Sequence, residues 1–135
     1  MQTYSIRELS ERYELPASTL RYYEEIGLLE HVVRKQNQSR EYNDEHICRL
    51  DAISCFKRAG MTLQQILCFF ELEKNVPEHV DEIVALMREQ EASVTQSIQT
   101  LQEALLVVRH KIRYYEDVRT AIKDNTCWPC WDDVS

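Results

Sequence analysis

Only two glycines and three prolines occur among the 135 residues of this chain. An all-β fold with a tight turn after every strand needs more of both. No apolar run approaches the roughly eighteen residues of a membrane span. The N-terminus opens on polar residues, Gln2, Thr3, Tyr4 and Ser5. No signal peptide and no membrane partner are therefore expected, with a cytoplasmic location as the default. Positive charge is also scarce, the formal net charge being −7. Residues 1–75 hold ten basic and twelve acidic side chains, and residues 76–135 hold six and eleven. Only the stretch from Arg34 to Arg40, with three cations and no acid, is clearly basic. Charge alone does not suggest a nucleic-acid partner, whose phosphates call for Lys and Arg.

What is present favours helix. Ser5 and Glu8 stand at the spacing of a capping box, and Ile6, Leu9 and Tyr13 follow at helical intervals. The pattern breaks at Glu14-Leu15-Pro16, where Pro16 fits the opening of a second helix. That helix carries Leu20, Tyr23 and Glu24 and ends at Gly27. Two short helices joined by a few residues make a helix-turn-helix. Residues 28–43 lack helical period, and Val32-Val33, Asn37-Gln38 and Tyr42 suggest a small hairpin with a weak turn signal. Asp44 is the expected N-cap of a third helix closed by Gly60. Thr62 opens a fourth helix with Leu63, Ile66, Leu67 and Phe70 as its buried stripe, and Pro77 interrupts the pattern beyond residue 75.

The cleanest period comes next. Val80, Val84, Met87, Glu91, Val94, Ile98, Leu101, Leu105, Val108, Ile112, Tyr115 and Arg119 alternate steps of four and three. Ten of the twelve are apolar, which is the heptad of a coiled coil. A helix of about 40 residues would be roughly 60 Å long, more than the N-terminal part could cover. Self-association through this helix is the expectation, against a single amphipathic helix packed on its own domain. The domain reading is a helix-turn-helix head at 1–75, a dimerisation helix at 76–120 and a tail at 121–135.

An HTH recognition helix turns its N-terminal residues toward base edges, which places Ser18, Thr19, Arg21 and Tyr22 in the contacting half. Arg can grip guanine or phosphate bidentately, and hydroxyls can position the backbone. Of the adjacent tyrosines, Tyr23 is the one expected in the core. Pattern alone leaves DNA contact and core filling equally open.

The strings Ser5-Ile6-Arg7-Glu8-Leu9, Thr19-Leu20-Arg21-Tyr22-Tyr23-Glu24-Glu25-Ile26-Gly27-Leu28-Leu29 and Arg40-Glu41-Tyr42 resemble the MerR family of bacterial regulators. Phe56-Lys57-Arg58-Ala59-Gly60-Met61-Thr62-Leu63 continues the likeness, which covers residues 3 to about 72 and, with the long helix, about 119. The resemblance implies a mainly α fold: a winged helix-turn-helix head followed by a long helix forming an antiparallel coiled-coil dimer. It implies DNA contacts from Ser5, Ser18, Thr19, Arg21, Tyr22 and Tyr23, from Arg40 and Tyr42 in the wing, and from Lys57 and Arg58. The implied partners are double-stranded promoter DNA, a second copy of the chain and, indirectly, RNA polymerase. The implied mechanism distorts a promoter spacer, and no catalytic role is expected. Two departures stand out: Glu14-Leu15-Pro16 replaces the family's usual Gly, apolar residue and Ser, and Asn37-Gln38-Ser39 stands where Asn-Gly is common.

The five cysteines, an odd number in a chain with no export signal, argue for thiol, metal or redox chemistry and against a disulfide framework. Cys55 and the string His110-Lys111-Ile112-Arg113-Tyr114-Tyr115-Glu116 are similar to the NmlR/AdhR subgroup of the family, linked to aldehyde and thiol stress. Cys55 is therefore the sensor candidate, with Arg49, Lys57 and Arg58 as cations to favour its thiolate. Against this, Cys48, Ala52, Cys55 and Ala59 form a small-residue stripe, and packing is the expectation for Cys48 and Cys68. Cys127 and Cys130 have the spacing of a metal-binding pair or a reversible dithiol, and a disordered tail is the alternative. Three rivals thus remain: a metal-responsive regulator, an effector-independent architectural DNA-binding protein, and a small redox enzyme, which lacks the expected βαβ surround. The sixteen residues after the coil are too few to build a ligand pocket of ordinary size.

Overall fold

Four left-handed residues end four of the helices, and the two glycines take two of those places. The computed structural model describes residues 2–131. In chain order the elements are β1 (Tyr4–Ser5), α1 (Ile6–Tyr13), α2 (Ala17–Glu25), β2 (Val33–Arg34), β3 (Arg40–Tyr42), α3 (Asp44–Arg58), α4 (Leu63–Glu73) and α5 (Val76–Asp124). Gly27 (φ 88°) follows α2 and Gly60 (φ 90°) follows α3. In each case the next residue donates back to a helical carbonyl, Leu28 to Tyr23 and Met61 to Phe56, which closes a Schellman turn. Asn125 (φ 55°) plays the same part after α5, with Thr126 donating to Ala121.

The end of α1 uses Glu14 at φ 53° instead, and Leu15 donates to the Ser10 carbonyl. A side chain in this conformation costs about 1–2 kcal/mol, partly returned because glycine loosens the unfolded chain. Glu14→Gly is therefore expected to stabilise the protein by roughly 0.5–1 kcal/mol, raising its thermal midpoint by a few degrees. An unchanged or lowered midpoint would show that Glu14 has a compensating interaction.

Helix starts are equally local. Ser5 accepts from the Glu8 N–H (3.1 Å) while Glu8 accepts from the Ser5 N–H (3.2 Å). Thr62 and Gln65 repeat the box at α4. The third helix corrects the sequence reading, because Asn43 and not Asp44 is its N-cap. The Asn43 side chain accepts from Glu45 and His46, and its own N–H donates to His46 Nδ1 at 3.0 Å. His46 is buried, and its other ring nitrogen donates to the Glu30 carbonyl at 2.6 Å. Pro16 also sits one residue earlier than the first helical position, serving as the N-cap of α2 with no side-chain bond.

The hairpin forms, and it gains a third strand that the sequence reading did not include. The sheet order is β1-β3-β2, antiparallel throughout, with Tyr4 opposite Tyr42 and Arg34 opposite Arg40. Its turn does without Asn-Gly. Gln38 takes the left-handed place at φ 68°, Gln38 donates to the Lys35 carbonyl, and Asn37 accepts from the Ser39 N–H. This is the three-residue hairpin loop with a left-handed final residue.

The chain divides into two compact units, residues 1–90 and 91–135. The core of the first is built on Leu9, Leu20, Tyr23, Leu28, Leu50, Ile53, Ile66 and Phe70. Ile83, Leu86 and Met87 of α5 pack against it, and Gln90 donates to the Ala59 carbonyl at 2.7 Å. The first turns of α5 thus belong to the head, beyond the boundary at 75 read from the sequence. In the second unit the tail as far as Trp131 folds back along α5; residues 132–135 lie outside the described residues. Trp131 meets His110 at a ring separation of 4.1 Å and Tyr114 at 5.1 Å, and its carbonyl lies 3.1 Å from His110 Nε2. Val118 and Ala121 are buried on the same helix face. The heptad positions from Ile98 to Tyr115 fall on the opposite face and stay exposed.

Candidate nucleic-acid interface

The second helix of the helix-turn-helix presents two kinds of side chain. Leu20 and Tyr23 point inward and are buried. Ser18, Arg21 and Tyr22 are exposed and Thr19 is half-buried. The period of 3.6 decides this, since Leu20 and Tyr23 are three apart and Arg21 and Tyr22 fall between them. Tyr23 therefore cannot offer its ring to DNA. Its hydroxyl instead accepts from Lys57 Nζ at 3.3 Å, tying the end of α3 to α2.

The wing holds a second correction. Tyr42 is fully buried, and its hydroxyl donates to Glu24 Oε2 at 2.8 Å. Burial and the Glu24 carboxylate hold that phenol well above its ordinary range. Arg40 Nε lies 2.7 Å from the same carboxylate oxygen, with 18% of its side chain exposed. The Arg40 N–H is buried and not directed at any acceptor, so this contact is an ion pair without an aligned hydrogen bond. Tyr42 and Arg40 are thus engaged with α2 and are not a free DNA-gripping pair.

Among the described residues Arg21, Arg34, Lys35, Lys57 and Arg58 pair with no carboxylate, and all five are exposed. Arg34 and Lys35 were not among the residues singled out from the sequence, although the basic run containing them is visible there. Glu24 was missed too, since its only signal is its contact with the wing. Ser5 is exposed and its oxygen is occupied by the cap of α1, leaving its hydroxyl proton to donate.

Cys48, Cys55 and Cys68 are all exposed, which corrects the expected packing of Cys48 and Cys68. Cys48 lines a depression of about 720 Å³ with Glu30, His46, Arg49, Phe70 and Lys74. Arg49 is engaged elsewhere: it donates to the Leu28 carbonyl at 3.4 Å and covers the Phe70 ring at 4.1 Å. That leaves Lys57 and Arg58 as the cations two and three residues from Cys55. Cys127 and Cys130 are exposed free thiols on the folded-back tail. Among the described residues no group of three or more His, Cys, Asp or Glu is placed to hold a metal ion. No helix among them is long and apolar enough to cross a membrane.

The description of MerR HTH family regulatory proteins matches residues 4–68, the span of the winged head. A MerR-family transcriptional regulator from Bacillus thuringiensis, solved by crystallography, is 31% identical, with 82% of this chain and 97% of that one covered at a TM-score of 0.69. The chain belongs to the MerR family. The crystal structure of HiNmlR, a MerR family regulator lacking the sensor domain, bound to promoter DNA, is 27% identical. The match covers 93% of this chain and 92% of that one at a TM-score of 0.79. The regulator AdhR of Bacillus subtilis is 35% identical over 63 residues, 47% of this chain and 45% of its own. These MerR relatives are transcription regulators and not enzymes, so the exposed thiols are read against a DNA-binding regulator and a redox enzyme is set aside.

Proposed function

We propose that this MerR-family regulator binds promoter duplex as a homodimer and distorts it in response to a thiol-reactive signal, with Cys55 as the sensing residue. The carrying observation is the exposed, unpaired half of α2, Ser18, Arg21 and Tyr22, flanked by unpaired cations at the wing tip and at the end of α3. This local cation set answers the negative net charge, because phosphate contacts depend on which charges face the duplex. The pairing surface is the exposed seam of α5, joined antiparallel to that of a second copy. Bending and untwisting the spacer draws on the contact energy of both heads, and RNA polymerase benefits indirectly.

For the sensor, the exposure of Cys55 supports attack by its thiolate on an aldehyde carbonyl, with Arg58 three residues on along α3 as the cation to favour that thiolate. The sulfur–carbon bond forms, the carbonyl oxygen takes up a proton and a thiohemiacetal results. The metal alternative rests on Cys127 and Cys130 alone, and two thiols are half of a tetrahedral zinc set. The described residues of one chain do not fit a closed site.

The test is a reporter on the protein's own upstream region, with and without a reactive aldehyde, in wild type and Cys55→Ser. Several-fold induction in wild type that disappears in the variant is expected. Induction that survives Cys55→Ser removes Cys55 as the sensor. A wild type that ignores aldehyde but answers zinc, in a manner lost in Cys127→Ser, transfers the role to the tail.

A further inference from the structure

We infer that Glu24 is a positioning residue that fixes the wing to the recognition helix through Arg40 and Tyr42, and that Arg40 does not contact DNA. The inference rests on the DNA-binding reading for its affinity arm only.

Glu24 stands in the last turn of α2, where the helix dipole disfavours an acid. Its side chain is only 15% exposed, so the carboxylate is also largely desolvated. Both features argue against an acid at this place unless it is compensated, and both compensating groups come from one strand. Arg40 and Tyr42, two apart on β3, reach the same oxygen from the same face of the sheet. β3 is the middle strand, bonded to β1 on one side and β2 on the other. One carboxylate therefore sets the place of the whole three-stranded wing against α2.

The register of the hairpin separates the two wing arginines. Arg34 and Arg40 are directly opposite, a like-charged pair that is unfavourable across strands. Glu24 neutralises Arg40 and leaves Arg34 exposed, with Lys35 beside it. Arg40 has the burial and the partner of a strut, and Arg34 has those of a contact. A paired, part-buried ion of this kind adds little net stability, and its use is to select one geometry.

The experiment measures Glu24→Gln, Arg40→Met and Arg34→Ala in the full chain. Duplex affinity is read over a salt series with the protein's upstream region and with unrelated DNA, and amide hydrogen exchange is read in the free protein. Glu24→Gln and Arg40→Met are expected to weaken specific binding about tenfold or more. They leave nonspecific affinity and the salt slope unchanged, because no phosphate contact is lost. Arg34→Ala is expected to flatten the slope by about one per head. In the free protein, amides of residues 33–42 exchange faster in Glu24→Gln while those of α4 do not change. A flatter salt slope in Arg40→Met overturns the inference, since Arg40 would then hold a phosphate. Equal losses on specific and unrelated DNA, or unchanged wing exchange, overturn it as well. A wild type that binds no duplex defeats the DNA-binding reading, and the exchange result still decides the strut.

Discussion

Replacing Leu101 and Leu105 together by Asp is expected to turn the regulator into a monomer and to remove specific duplex binding. The two leucines are 69% and 44% exposed in the chain, and Ile98, Val108, Ile112 and Tyr115 on the same seam are more than half exposed. A continuous apolar stripe of this kind needs a partner surface. The described part of the tail does not supply one, because Trp131 packs on His110 and Tyr114 across the helix from the seam. Each leucine buried on pairing stabilises by roughly 1.5–3 kcal/mol, and two-fold symmetry counts each change twice. The loss is then about 6 kcal/mol or more, before any cost of burying the carboxylates. Light scattering should report the monomer mass. Duplex affinity should fall about 10²–10⁴-fold, since the second head no longer binds at high effective concentration. Neither substituted residue belongs to the core of the head, so helix content of residues 1–90 should persist. A variant that still dimerises would place the subunit contact elsewhere.

How far the sequence could be read follows from the range of the forces involved. Caps are decided within five residues, so Ser5-Glu8, Thr62, Gly27 and Gly60 were legible in place. The Asn43 cap was not, because preferring it to Asp44 depends on His46 being held between Asn43 and the Glu30 carbonyl. The wing turn was read as weak because it lacks Asn-Gly, yet Gln38 takes the left-handed place and strand pairing of Arg40–Tyr42 on both edges holds it there. Of the candidate contacts, the exposed ones on α2 follow from helical period alone. Arg40 and Tyr42 were named as contacts on the family resemblance, and their engagement with Glu24 was not legible because that carboxylate lies sixteen residues or more away. Cys48 and Cys68 were misjudged for a related reason: a small-residue stripe implies packing only if another element covers it, and among the described residues nothing buries either thiol. The tail's return onto α5 depends on Asn125 adopting the left-handed turn that glycine usually provides.

Arg21→Ala is expected to cost the most of any single exposed substitution in the head. Arg21 is exposed and pairs with no carboxylate among the described residues, so truncating it should leave stability within about 0.5 kcal/mol. Its guanidinium projects from the half of α2 that an HTH turns toward base edges. A bidentate contact to a base is worth about 1–3 kcal/mol, or roughly 5- to 150-fold per head. A dimer with two such heads should lose on the order of 10²-fold or more for its own promoter. The salt dependence identifies what the guanidinium touches. A base contact leaves the slope nearly unchanged and relaxes preference at one base pair in each half-site, whereas a phosphate contact flattens the slope by about one per head. Arg21→Lys separates the two again, because an ammonium keeps the charge and lacks the planar fork. It should restore binding to a phosphate and fail to restore a base preference. Wild-type affinity in Arg21→Ala would remove α2 as the reading helix and shift the interface to the wing cations Arg34 and Lys35.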